Sequence, residues 1–342
     1  MKKSILISFA YIAAVIGAGF ASGAEVVSFF LVYGKQSIIG LVLSGLFFGV
    51  FSYILLSDCV KNRICDFSDY LEYLMPPFWR KFTSSVVFVF MAVSLAAMSA
   101  AAGEIMSFKI PEFWGILIFS LMCALILRGS VGRLTYISGI LGIIIAVGIV
   151  ISCYYVINFR TVQTFSHIGK ISISAVSYSA YNSIAAAVLL CSMSRFLKTK
   201  KQVLLTSLFN GIGVFVILAA LWCVVGIYYG KVDLGEIPML AIARRQNLNF
   251  SIIYGIILFL AVLTTAVSNG FGVTEYVKEV IPGKNAILIP FVFMLFLSGM
   301  GFSVIVDVAY RICGYASVVM PVFMIINRVK KRKQKKTKEK RK

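Results

Sequence analysis

The sequence is short of charge and almost without histidine. Only 13% of its residues are charged, against about 25% in soluble globular domains, and 60% are hydrophobic, which excludes a water-soluble enzyme or binding module. The one histidine, His167, falls in a polar connector, where it reads as solvent-facing and not as a metal ligand or general base. Seven cysteines (Cys59, Cys65, Cys123, Cys153, Cys191, Cys223 and Cys313) never reach Cys-x-x-Cys spacing. Most lie in apolar runs, so neither a disulfide framework nor a zinc site is expected. With no cluster of His, Asp or Cys there is nothing to build a hydrolase site, and no enzyme and no cofactor are expected. Acidic residues are also scarce, 13 against 33 Lys and Arg, for a formal charge of +20. That excess could suggest nucleic acid, but the basic residues gather at the ends of apolar runs and in a terminal tail. The distribution describes membrane topology, and no nucleic-acid partner is expected.

What is present is a succession of apolar stretches, most of them near the roughly 20 residues that cross a bilayer. They cover 5–33, 37–56, 82–108, 113–127 and 134–157, then 171–193, 203–229, 252–273, 286–300 and 304–326. The chain is therefore an all-α polytopic membrane protein of about ten transmembrane helices, with the fourth and ninth short enough to be tilted or locally broken. Met1-Lys2-Lys3 opens no cleavable signal pattern, so the first span is expected to remain. The bias of Lys and Arg, heaviest in the tail and at Lys61, Arg63, Arg80, Lys81, Arg195, Lys198, Lys200 and Lys201, puts both termini in the cytoplasm. Residues 66–74 read as an amphipathic segment along the inner interface, ended by Pro76-Pro77. Residues 235–245 are too apolar for a free loop and too short to span. They either fold back over the outer mouth as a lid or simply pack at the interface.

The most informative stretch lies inside the first span: Ile16-Gly17-Ala18-Gly19-Phe20-Ala21-Ser22-Gly23-Ala24-Glu25. Each mid-helix glycine costs roughly 1 kcal/mol, and an opened backbone at membrane depth is tolerated only in protein or beside a wet cavity. A break here implies a site, with amides free to face a carboxylate; the alternative is close helix packing through small residues. Two groups of five spans, 1–158 and 171–327, followed by a disordered basic tail at 328–342, suggest an inverted repeat. That design predicts a matching break in the sixth span, where Ser177-Tyr178-Ser179-Ala180-Tyr181-Asn182 stands at the same depth. In the eighth span, Thr264 and Thr265 either bond back to their own helix or join carbonyls of the first break in a neutral oxygen cage for a monovalent cation.

The motif Val15-Ile16-Gly17-Ala18-Gly19-Phe20-Ala21-Ser22-Gly23 with Glu25, together with Ser177 to Asn182 and Glu236-Ile237-Pro238-Met239-Leu240, resembles the YkvI-like bacterial membrane proteins. These are relatives of the amino acid–polyamine–organocation (APC) superfamily, with the LeuT-type fold of five plus five inverted helices, spans one and six broken. The family commonly has Gln-Glu after Ser-Gly, whereas this chain has Ala24-Glu25. The resemblance implies a sodium site of Ala13, Ile16 and Ala261 carbonyls with the Thr264 and Thr265 hydroxyls. It leaves a proton as the alternative coupling ion.

On this reading the chain is a secondary transporter of the bacterial inner membrane. It moves a small organic solute, an amino acid or related compound, by alternating access, with Na+ ahead of H+ as coupling ion. Gly17, Ala18, Gly19, Phe20, Ala21, Ser22, Gly23, Tyr178, Ser179, Tyr181 and Asn182 would form the solute pocket. Glu25 either carries a proton or binds an amine, or else caps its half-helix. Glu104 is interfacial or a gate, and Asp307 with Arg311 form a local i, i+4 pair or an outer gate. The tail, with eleven basic residues from Arg328 to Lys342, is expected to seek anionic lipid. A non-transporting scaffold or sensor on the same fold is the competing class.

Overall fold

The computed structural model describes residues 2–107, 110–128, 131–157, 171–278, 286, 288–300, 302 and 305–340, and among them every regular element is helical. The first span is three pieces, α1 (Lys2–Val15), α2 (Ala18–Ser22) and α3 (Ala24–Phe29). Then come α4 (Ser37–Asn62), α5 (Phe67–Leu74), α6 (Pro77–Met106), α7 (Glu112–Leu127) and α8 (Val131–Val156). The second group is α9 (Ile171–Met193), α10 (Lys200–Tyr228), α11 (Pro238–Gln246), α12 (Leu248–Lys278), α13 (Leu288–Leu297), α14 (Tyr310–Ser317) and α15 (Val319–Lys340). Seven helices are long and apolar enough to cross a membrane, and three shorter apolar ones accompany them. Leu46, Leu125, Ile151 and Phe296 stand exposed on the outside of the bundle, an apolar surface that hydrocarbon solvates and water does not. The chain is a multi-pass membrane protein.

Packing is closest where side chains are smallest. α4 runs along α9 and α10, α1 along α8 and α10, and α12 along α6 and α8. Between α4 and α10 a Cβ on Gly211 would stand 2.7 Å from the Gly45 carbonyl and 3.0 Å from Gly49 Cα, so the two backbones touch through a small-xxx-small seam. Buried hydroxyls add cross-ties: Ser8 donates to the Thr206 carbonyl at 3.1 Å, and Trp222 Nε1 donates to Ser37 Oγ at 2.9 Å.

Two sequence expectations need correction. α9 is continuous from Ile171 to Met193, with no break at Tyr178–Asn182. The reason is in its composition: the helix contains neither glycine nor proline, and its polar side chains are accommodated without unwinding it. Asn182 Nδ2 donates to the Tyr178 carbonyl at 3.2 Å and Ser192 Oγ to the Val188 carbonyl at 3.2 Å. The tail is not disordered but helical to Lys340, since Lys, Arg and Gln are good helix formers and the apolar start of α15 sets the register. Arg328 docks it, bridging to Asp58 at 3.5 Å and donating to the Ile54 carbonyl at 3.2 Å. The last span is interrupted instead between α14 and α15, where Pro321 has no N–H to give the Ser317 carbonyl.

The two connectors singled out in the sequence are helical. Asp66 caps α5 by accepting from the Ser68 amide at 2.8 Å, and Tyr70, Leu71 and Leu74 bury one face. α11 buries Pro238, Met239, Leu240, Ile242 and Ala243 and lies over the Gly23 turn, where Met239 and Pro238 flank the glycine. His167 and most of the connector between the two groups fall outside the described residues.

Candidate functional site

The break in the first span follows from two glycines. Gly17 is extended (φ −82°, ψ −170°) and ends α1. Gly23 is left-handed (φ 83°) and ends the single turn of α2, a conformation that costs other residues roughly 1–2 kcal/mol. A Cβ on Gly23 would also meet Val225 Cγ2 at 2.9 Å. Ser22 serves this turn, donating to the Gly19 carbonyl at 3.2 Å and accepting from the Ala24 amide at 3.2 Å. The amides expected to face a carboxylate are partly taken: the Gly17 amide donates to Val15 O at 2.9 Å, and the Ala18 amide points at Met98 Sδ, 3.3 Å away.

The carbonyls released at the end of α1 meet α12. Thr265 Oγ1 lies 3.0 Å from Ala13 O, 3.1 Å from Ile16 O and 3.5 Å from Ala14 O. Thr264 Oγ1 lies 3.3 Å from Ala13 O and 3.0 Å from Ala261 O. All five oxygens named from the sequence thus converge on one seam, and both threonines are buried. Uncharged oxygens of this number suit a monovalent hard cation, with the hydroxyls turning from donors to ligands. Three helical turns before Thr265 on the same face, Tyr254 donates to the Ala21 carbonyl at 2.6 Å and ties α2 to α12. That spacing is present in the sequence and is the signal by which Tyr254 could have been found.

Opposite the break stands α9. Tyr178 and Tyr181 are fully buried, their ring centroids 5.7 Å apart. Phe20 and Phe29 lie 6.3 and 5.5 Å from the Tyr178 ring, and Phe29, Phe90 and Tyr310 lie 5.7, 5.2 and 5.4 Å from that of Tyr181. Sequence reasoning misses Phe29, Phe90 and Tyr310, because single aromatics in apolar spans look the same whether they line a site or fill a core. Glu25, only 3% exposed, folds back from α3 onto Gly19: a Cβ there would stand 2.8 Å from Glu25 Cγ and 2.9 Å from Cδ. Tyr178, Tyr181 and Asn182 are the polar side chains nearest its carboxyl. Glu25 Oε2, Tyr178 OH, Tyr181 OH, Ser177 Oγ and Ser179 Oγ have no hydrogen-bond partner among the described residues. A tight polar chain closes the far side, where Asn269 Nδ2 and Tyr310 OH both donate to Ser94 Oγ, at 2.7 and 3.1 Å.

Two clefts approach this centre from opposite ends of α9. One, of about 270 Å3, is lined by Ser28, Phe29, Tyr33, Ser177, Arg311 and Tyr315. The other, of about 380 Å3, is lined by Asp66, Ser84, Met91, Val188, Gly272 and Glu275 among others. Ser177 and Val188 are separated by about three turns of helix, roughly 16 Å, and Tyr178, Tyr181 and Asn182 fill that interval. Arg311 is therefore at a cleft mouth, while the Asp307 side chain lies outside the described residues. Glu104, half-buried in the last turn of α6, has Glu112, Glu236 and Arg244 as charged neighbours and belongs to neither the centre nor the cation seam.

No protein-family model matches the chain. It is 24% identical over 337 residues to the uncharacterized protein YyaD of Bacillus subtilis (strain 168), covering 95% of this chain and 96% of that one. It is also 24% identical over 324 residues to the membrane protein YkvI of the same organism, covering 91% and 92%. Among solved structures it is similar to a Na+-coupled sialic acid symporter (TM-score 0.67, 12% identity, 94% of this chain and 78% of that one). It is likewise similar to MhsT in complex with L-phenylalanine (0.66, 14%, 94% and 87%) and to Mhp1, a nucleobase-cation-symport-1 family transporter (0.64, 11%, 92% and 75%). The fold is that of the LeuT-type transporters, and these neighbours are transporters, not enzymes.

Proposed function

We propose that the chain is a secondary carrier of the bacterial inner membrane, moving a small organic solute, an amino acid or related compound, by alternating access. The observation that carries this reading is the pair of clefts at opposite ends of α9, closed from each other by about three turns of packed helix beside a break in the first span. Such an arrangement is what a solute site reached from one side at a time requires. Phe29, which both lines one cleft and packs on Tyr178 and Tyr181, is the gate on that side. Met91, against Gly272, is its counterpart on the other. In this reading the ten apolar helices form two five-helix halves of opposite orientation, both termini are cytoplasmic, and the basic helix α15 rests on anionic lipid.

Coupling is assigned to Na+ at the α1–α12 seam. A cation held by Ala13, Ile16, Ala261, Thr264 and Thr265 would pull α1 against α12 and so favour the state in which the two are closest. A proton on Glu25 is the alternative. Uptake by the full chain in proteoliposomes, with and without a sodium gradient, tests the assignment. Thr264→Ala with Thr265→Ala should abolish the sodium-dependent part, and an unchanged sodium response would refute the site. Gly19→Leu, which drives a side chain into Glu25, should abolish solute uptake in a protein that still purifies as a monodisperse species.

A further inference from the structure

Among the described residues only two acidic or basic side chains are buried, Glu25 and Asp58, and they are treated differently. Asp58 has Arg328 at 3.5 Å. Glu25 forms no ion pair with any of these residues, and no Lys, Arg or His is buried among them to supply one. A carboxylate in a medium of low dielectric is not left unpaired; it takes up a cation or a proton. Here the surroundings select a cation. The side chains about the carboxyl are Tyr178, Tyr181 and Asn182, all uncharged, and the two tyrosines belong to a cluster of aromatic rings. Aromatic rings beside a carboxylate suit an ammonium group. The anion-binding alternative is also weakened at its source, since the leading amides at the break point to Val15 O and Met98 Sδ, and Glu25 itself covers Gly19.

We propose that the solute is recognised by a cationic amine, its charged nitrogen placed between the Glu25 carboxylate and the Tyr178 and Tyr181 rings, with its uncharged remainder toward Phe20 and Phe29. This rests on the carrier reading for the site's use but not for its chemistry. Glu25 acts as the fixed counter-charge, so a solute carboxylate is not required. A free carboxylate without an amine is rejected by the like charge of Glu25.

The test uses the purified full-length protein and three probes that share a phenylethyl frame: phenethylamine, 3-phenylpropionate and L-phenylalanine. Thermal stabilisation is titrated for each at fixed sodium. Phenethylamine should stabilise the protein and 3-phenylpropionate should not. Glu25→Gln should weaken the amine by roughly thirtyfold or more, the order expected when a buried charge partner is neutralised, while stabilisation by sodium alone persists and so reports a folded variant. Tyr181→Phe, which keeps the ring and removes the hydroxyl, should weaken it less. Equal stabilisation by 3-phenylpropionate, no response to any amine, or an unchanged amine response in Glu25→Gln would each overturn the proposal. The last result would leave Glu25 as a proton carrier only. Amine binding without counterflow in proteoliposomes would sink the carrier reading and leave the amine site standing. Counterflow of an amine-free solute indifferent to Glu25→Gln would do the reverse.

Discussion

By sequence the first span and α9 are counterparts, one in each half, both expected to be unwound at the same depth. They are not alike in this structure. The first span is opened twice within a few residues, at Gly17 and Gly23. α9 carries more hydroxyls over the same depth and is unbroken. The difference separates two things that a reading of polarity joins. Polar side chains in a membrane helix do not by themselves open the backbone, whose own i to i−4 bonds stay intact in α9 whether the side chains bond back, as Asn182 and Ser192 do, or not. Glycine loosens it, and a left-handed glycine reverses it. α9 therefore acts as a rigid wall and the first span as the adaptable one. Gly23→Val sets the comparison at its sharpest. The backbone penalty of about 1–2 kcal/mol adds to overpacking against Val225 of about 1–3 kcal/mol. Thermal unfolding in micelles should show a larger loss than removal of any single tie in the bundle, and a near-neutral result would mean that the break does not depend on its glycine.

Next in size is the tie that holds the opened segment in place. Tyr254→Phe removes the donor to the Ala21 carbonyl and leaves a buried acceptor unmet, at a cost of about 1–3 kcal/mol. Since this bond ties α2 to α12 beside the seam that Thr265 makes with the end of α1, the variant should also lose apparent affinity for sodium. Stability reduced with sodium affinity intact would separate the two supports.

The opposite manipulation tests the rigid partner. Ala186→Gly places a glycine in α9, one turn beyond Asn182, at a buried position. The helix-propensity loss and the missing methyl together cost about 1–2 kcal/mol. If α9 is held by its neighbours as its burial implies, the helix stays closed, and amide hydrogen exchange across 180–190 should rise only slightly. Exchange rising to the level found across Gly17–Gly23 would show that α9 is a latent hinge, which would restore the symmetry the sequence suggests.

These contrasts show what is legible in the sequence and why. The unbroken spans can be read closely, because bilayer thickness fixes their length and apolar runs declare it: 171–193 is expected and Ile171–Met193 is found, whereas the first and last spans are divided. The Thr264-Thr265 pair can be singled out because it is local in the eighth span, whereas the particular carbonyls of Ala13 and Ile16 are named only through the resemblance to a known family. Closure of the centre cannot be read, since it depends on Phe29, Phe90 and Tyr310, three aromatics from three distant helices that meet only after folding. Nor can the lack of an ion pair to Glu25 among the described residues, which depends on where their other charged side chains fall. The mistaken break in α9 and the mistaken disorder of the tail have one origin: both treat polarity as a property of the backbone.

The tail offers the smallest test of that point, and the most discriminating. Arg328 lies where the apolar start of α15 gives way to its basic end. It reaches Asp58 at 3.5 Å and the Ile54 carbonyl at 3.2 Å, with its guanidinium 5.8 Å from the Tyr53 ring centre. The Arg328 side chain is about a third exposed, whereas that of Asp58 is 9% exposed, so truncating the arginine costs little by itself but leaves the carboxylate short of its counter-charge. Arg328→Ala should therefore destabilise by about 1 kcal/mol or less, within the range of partly exposed pairs. Asp58→Asn should offset most of the loss when combined with it, because the pair is then removed together. If α15 is a helix docked through this contact, the double variant should regain the stability of Asp58→Asn alone and keep the same limited-proteolysis pattern after Lys330. Rapid trimming to Arg328 in the parent protein, before any substitution, would instead mean that the basic segment is free of the bundle and that its charge, not its packing, decides how it behaves.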